Sequence, residues 1–217
     1  MKRFTDISIA IFGVLLLSAS VFAQTVVFTD DFNADSNTTF TTSGTIGTSA
    51  FSVTRAGADF GARRNTTPAQ LELSNDATAT ANVNGWVLAS ASTSSFSAPY
   101  NTTLSSNSGL VTWTFNMRQI RPDPAGFTAG SYGVAFVLGA TSTGIATGGT
   151  GYAVVLGQSG TTDPVRLVRF NGGLQGTLTN IITSNTTSIA GRAISMSTFS
   201  APITSAFATV SGSKTAT

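Results

Sequence analysis

The chain has 217 residues, of which 9% are charged, 41% are hydrophobic and 22 are glycine. Cysteine and histidine are both absent, which excludes disulfide frameworks, thiolate or imidazole metal sites, and Ser-His-Asp or Cys-His catalysis. A formal charge of +2, spread over the whole length, is too weak for a nucleic-acid footprint.

The N-terminus opens with Met1-Lys2-Arg3, runs through an apolar stretch from Ile7 to Ala19 and reaches Val21-Phe22-Ala23-Gln24. A basic start, a short apolar core and small residues before a cut after Ala23 read as a secretory signal peptide over residues 1–23. The apolar run falls short of the roughly 20 residues that span a bilayer, and no cysteine follows it to carry a lipid. The expectation is therefore an exported chain, secreted or at the cell surface, without a membrane span after cleavage. Asn-Thr-Thr triplets at Asn37, Asn65, Asn101 and Asn185 are common by chance in a chain so rich in threonine.

Downstream, no window of about 12 residues keeps apolar residues at helical spacing. Short strand-like runs recur instead, separated by Gly, Ser, Asn and Thr clusters. They cover residues 25–28, 39–46, 51–55, 71–74 and 86–91, then 110–120, 132–139, 152–157, 165–170 and 178–183. Following the first run, Asp31, Asn33 and Asp35 stand on alternate positions, the opening of a calcium loop that lacks Gly at its sixth position and Glu at its twelfth. The competing expectation is a turn held by Asx hydrogen bonds. Glu72, the single glutamate of the chain, lies on the fourth run with Asp76 just beyond. One glutamate without a tight acidic partner gives little basis for glycoside hydrolysis, which uses two carboxylates.

Leu110–Ile120 alternates most cleanly. Val111, Trp113, Phe115 and Met117 fall on one face, and Thr112, Thr114, Asn116 and Arg118 on the other, as in an antiparallel strand with one buried and one wet face. The loop that follows carries Arg121 and Asp123, with Pro122 and Pro124 stiffening it. Tyr132–Gly139 and Tyr152–Gly157 are apolar on both faces and should run centrally. Arg166 and Arg169, three apart on a strand, point to opposite faces; one is expected at solvent and the other near a sheet edge. From residue 184 to residue 217 the alternation weakens, leaving a final strand pair, a linker or the start of a second β module as alternatives. Many short strands without helices predict an all-β, two-sheet antiparallel sandwich over residues 24–183.

The segments Val27-Phe28-Thr29-Asp30-Asp31-Phe32-Asn33, Trp113-Thr114-Phe115-Asn116-Met117-Arg118, Tyr132–Leu138, Gly151–Gly157 and Val165–Phe170, with Gly172-Gly173-Leu174 beyond, resemble secreted bacterial domains of the concanavalin A-like lectin/glucanase superfamily, of LamG-like type. The resemblance implies a jelly-roll sandwich that binds a glycan and in some members hydrolyses one. Aromatic rings stack on pyranose faces, and planar donors bind hydroxyls. The candidate binding residues are accordingly Trp86, Asn116, Arg118, Arg121, Asp123 and Tyr152, with Tyr100 as a further ring. Asp31, Asn33 and Asp35 are the candidate Ca²⁺ ligands, and no catalytic residue is assigned. The functional expectation is a non-catalytic carbohydrate-binding module whose partner is a polysaccharide or a cell-surface protein. The rivals are a structural or adhesive spacer without a sugar site, and a glycoside hydrolase.

Overall fold

Alternation of apolar and polar residues produces strands wherever one side of the chain can be buried. A computed structural model of the chain describes residues 25–34, 39–74, 77, 85–107, 111–119, 124–127, 133–184, 193–201 and 208–214. The leader, together with Asp35, Asn37, Asp76, Arg121, Asp123 and Asn185, lies outside the described residues. The strands are β1 (Gly44–Thr45), β2 (Phe51–Ala56), β3 (Gly61–Thr66), β4 (Ala69–Ser74), β5 (Gly85–Ala91) and β6 (Val111–Arg118). They continue with β7 (Gly133–Ala140), β8 (Thr150–Leu156), β9 (Val165–Asn171), β10 (Thr177–Thr183), β11 (Ala193–Ala201) and β12 (Ala208–Lys214). Helical structure among these residues is confined to two single 3₁₀ turns, and no helix is long and apolar enough to cross a membrane.

Eight strands form one antiparallel sheet in the order β1-β2-β5-β12-β7-β8-β9-β10, and the pairs β6–β11 and β3–β4 form two smaller sheets. The chain is thus all-β and built as a sandwich. The C-terminal stretch contributes two of the strands. β11 pairs with β6 from Ala193↔Arg118 to Ala201↔Val111. β12 lies between β5 and β7, partnered along its length by Gly85 to Ala91 on one side and, from Thr209 to Ser213, by Gly133 to Val137 on the other.

One face of the large sheet carries both smaller pairs. Near β2 and β5, the hairpin β3–β4 closes over Phe51, Val53, Val87 and Ala89 with Phe60, Ala62, Leu71 and Leu73. Near β7 to β9, β6 closes over Leu138, Val154 and Leu167 with Trp113, Phe115 and Met117. The Phe115 and Phe136 rings stack between the layers, 3.8 Å apart and inclined by 12°. The expected faces of β6 are observed: Trp113 is buried, whereas Thr114, Asn116 and Arg118 are exposed. The opposite, outer face of the large sheet holds Leu88, Ala135, Val137, Val155, Val168 and Phe170, covered by Phe127, Ile145 and Leu174 from loops. Strands β7 and β8 are consequently buried on both faces, as their uniform apolarity predicts.

Two expectations need correction, and one strand was not foreseen. Residues 25–28 are extended but unpaired in any sheet; Phe28 is instead held by ring contacts with Phe51 and Phe96. The run 39–46 shrinks to β1 and an isolated bridge, Thr41↔Ala62, and β1 begins at Gly44, whose φ of +80° is a left-handed value that glycine accommodates. Strand β3, Gly-Ala-Arg-Arg-Asn-Thr, shows no apolar alternation. Its inward position is an arginine, Arg64, 2% exposed and 3.3 Å from Asp30; its outward neighbour Arg63 pairs with Glu72 at 2.8 Å.

Candidate functional site

Cα partners on paired antiparallel strands share a face. The register therefore aligns Tyr152, Arg169 and Thr179 across β8, β9 and β10 on the inner face, and beside them Thr150, Asn171 and Thr177. Residues between these rows belong to the outer face, where Phe170 is fully buried and Leu178 packs on the core. On the inner face the rows rise out of the sandwich. Val154 and Leu167, one pleat further along, are buried under β6, whereas Arg169, Asn171, Thr177 and Thr179 are exposed and Thr150 and Tyr152 half-buried. The result is an open polar corner of six side chains: three threonine hydroxyls, a carboxamide, a phenol and a guanidinium. From the strand spacing and the rise per residue it measures about 10 Å by 7 Å.

The loops at this end of the sheet leave the corner uncovered because they fold to the other side. The loop 141–149 and the turn 172–176 are tied together by Gly172 and Gly173 N–H donating to Gly149 O, at 2.9 and 3.0 Å, and by Leu174 N–H donating to Ile145 O at 2.8 Å. Their apolar residues, Ile145 and Leu174, enter the outer-face core. The inner face at this end receives no apolar cover from them, and its residues are polar.

At the opposite end of β9, Arg166 points to the outer face and is only 6% exposed. Nε donates to Gly157 O at 2.8 Å, Nη2 to Gly126 O at 2.7 Å and Nη1 to Asn180 Oδ1 at 3.1 Å. No carboxylate pairs with it among the described residues, and burial pushes its pKa below the ordinary arginine value. This guanidinium fastens the segment 124–127 to the sheet so that Phe127 covers the outer core. Gly157, at φ +80°, lies so close that a Cβ there would collide with Pro124 O. The expectation that Arg166 and Arg169 occupy opposite faces holds, but Arg166 sits neither at solvent nor at an edge. It is a buried clamp, because its three guanidinium nitrogens find two main-chain carbonyls and a side-chain amide oxygen where the loop crosses.

Among the described residues, the candidate binding residues do not converge. Tyr152 belongs to the corner. Trp86 lies on the outer face of the large sheet, packed against the core there. Asn116 and Arg118 project from the far side of β6, away from the sandwich. Tyr100 packs against the same core cluster as Tyr152. The corner residues Arg169 and Thr179 were missed because only the pairing register places them beside Tyr152; their own sequence neighbourhoods carry no sign of it.

In the proposed calcium loop, Asp31 Oδ1 accepts from Asn33 N–H at 3.0 Å and Oδ2 from Asn33 Nδ2 at 3.1 Å. These bonds hold the Asp31 carboxyl below its ordinary pKa. Asp30 Oδ1 accepts from Phe32 N–H at 2.8 Å. The described part of the loop thus has the hydrogen bonding of an Asx turn, with the carboxylate oxygens of Asp31 directed to amide donors. Glu72 is occupied by Arg63, its cross-strand partner.

Comparison with protein-family models, with curated proteins and with solved structures returns no match for this chain.

Proposed function

We propose that the chain is a non-catalytic carbohydrate-binding β-sandwich module of an exported or cell-surface protein, and that the polar corner of β8, β9 and β10 is its binding surface. The observation that carries the reading is the corner itself: an aromatic ring, a planar donor, a carboxamide and three hydroxyls share one accessible face. Pyranose recognition uses this combination, with the ring meeting the apolar face of the sugar and the polar groups meeting its hydroxyls. The leader pattern at residues 1–23 and the resemblance to lectin-like sandwiches support the same reading. Glu72, engaged by Arg63 on a different part of the sandwich, offers no free acid for bond cleavage.

Affinity electrophoresis through gels containing soluble polysaccharides tests it. Retardation by at least one polysaccharide is expected, reduced by Tyr152→Ala and also by the exposed Asn171→Ala, with the melting temperature of the latter unchanged. Migration unaffected by any polysaccharide would favour a spacer without a sugar site. Release of reducing sugar that disappears in Glu72→Gln would instead make the chain a hydrolase.

A further inference from the structure

Arg169 is the one ionisable group of the corner apart from the Tyr152 phenol, and its surroundings specify what it is free to bind. Its guanidinium is exposed, and among the described residues it has neither a hydrogen-bond nor an ion-pair partner. Strands β8, β9 and β10 contain no aspartate or glutamate. The other arginine of β9, Arg166, is turned to the opposite face and is committed to Gly157 O, Gly126 O and Asn180 Oδ1. The acid nearest in sequence, Asp163, is buried beyond the far end of β9. Among the described residues the corner therefore presents a single uncompensated positive charge, directly flanked by Tyr152 on β8 and Thr179 on β10.

A guanidinium is a planar fork whose paired N–H groups match the two oxygens of a carboxylate. A neutral sugar would use it only as a hydroxyl donor. A sugar acid would place its carboxylate on the fork while its ring lies over the neighbouring phenol. The geometry points to an acidic polysaccharide, one built from uronic acid residues, as the ligand class of this surface. This inference rests on the carbohydrate-binding reading and specifies its ligand.

Polygalacturonate, a neutral glucan and dextran sulfate, each cast into affinity gels at low and at high salt, provide the test. The wild-type chain should be retarded most by polygalacturonate, and the retardation should fall as salt screens the charge. Arg169→Gln, exposed and free of structural bonds, should keep its melting temperature and lose about tenfold in affinity for polygalacturonate, as expected for a charge-assisted pair. Arg169→Lys should recover part of that loss. Retardation by the neutral glucan alone, or equal retardation of wild type and Arg169→Gln by polygalacturonate, would overturn the acidic-glycan assignment while leaving the binding module standing. Stronger retardation by dextran sulfate than by polygalacturonate would overturn it in favour of sulfate esters. No retardation by any of the three would overturn the acidic-glycan assignment, and the binding reading would fall with it only if every other soluble polysaccharide also left migration unaffected.

Discussion

Replacing Arg166 with methionine removes all three donors from the buried clamp while nearly keeping side-chain length. Two of the acceptors are main-chain oxygens, Gly157 O and Gly126 O, on buried residues. A buried polar group that loses its partner costs about 1–3 kcal/mol, so the two carbonyls together cost about 2–6 kcal/mol on that scale. The change also relieves the desolvation of a charge that has no carboxylate beside it, which offsets part of the loss. The net expectation is a destabilisation of about 2–4 kcal/mol, within the range for breaking a buried hydrogen-bonded network. For a chain of this size each kcal/mol moves the melting temperature by roughly 2–4 °C, so the midpoint should fall by roughly 4–16 °C. Urea denaturation followed by tryptophan fluorescence measures the same quantity as a lower midpoint at unchanged slope. Arg166→Lys should be nearly as damaging, since a single ammonium cannot span acceptors arranged around a planar fork. A stability for Arg166→Met within about 0.5 kcal/mol of the parent, the usual range for surface changes, would show that the relieved desolvation cancels the lost bonds, and would refute the clamp.

The contact between the layers makes a second expectation. Phe115 and Phe136 are each half-buried and stack at 3.8 Å, so a double-mutant cycle to alanine should give a coupling of about 0.5–1.5 kcal/mol; strictly additive single effects would mean that β6 is held by its other contacts. The third concerns the turn at Asp31. Amide donors from Asn33 lower its carboxyl pKa from the ordinary 3.8, so the folded state protonates less readily than the unfolded one. The associated stability is present above pH 3.8 and is lost as pH falls through the lower, folded-state value. A carboxyl chemical-shift titration should find the Asp31 midpoint below 3.8, and in Asn33→Ala the midpoint should rise part of the way back, because the backbone donor remains. A midpoint unaffected by that change would contradict the Asn33 side-chain bond, and a parent midpoint at or above 3.8 would contradict the Asx turn.

Strands whose apolar pattern is intrinsic were legible without coordinates. β6 announces one wet face through Trp113, Phe115 and Met117 alternating with threonines, and β7 and β8 announce burial on both sides. What could not be read are features created by pairing. β3 hides its inward side behind Arg64, whose burial depends on Asp30, more than thirty residues earlier in the chain. The tail beyond residue 184 alternates weakly, yet β12 is flanked by strands on both edges; a strand so placed needs no strong pattern of its own when its neighbours supply the ladder. The candidate site shows the same division. Tyr152 was identifiable as a ring on an apolar strand, but Trp86 and Tyr152 fall on opposite faces of the sheet once the register is followed through β12 and β7. Arg169 and Thr179 become its neighbours only through β9 and β10. Local sequence specifies which residues alternate; the register decides which of two faces each set occupies, and that is where the site is made.

The topology also separates the site from the part of the sheet that is hardest to close. β7, β8, β9 and β10 follow one another in the chain and pair in that order, so every hydrogen-bonded contact beneath the corner spans a short loop. β2 and β5 pair likewise on the other side. Among the described strands, the hydrogen-bonded ladder joining these two halves is β12, which comes late in the chain and pairs with both β5 and β7. Non-local pairing bears the larger loop-closure cost, and that cost falls at the middle of the sheet. The clamp at Arg166 and the hydrogen-bonded pair of loops at 141–149 and 172–176 both act within the local half, bringing their apolar cover to its outer face. With that face closed and β6 closing the inner face only as far as Leu167, the remaining inner rows of β8 to β10 stay accessible. An open, polar, singly charged surface therefore stands on the most locally determined part of the sandwich.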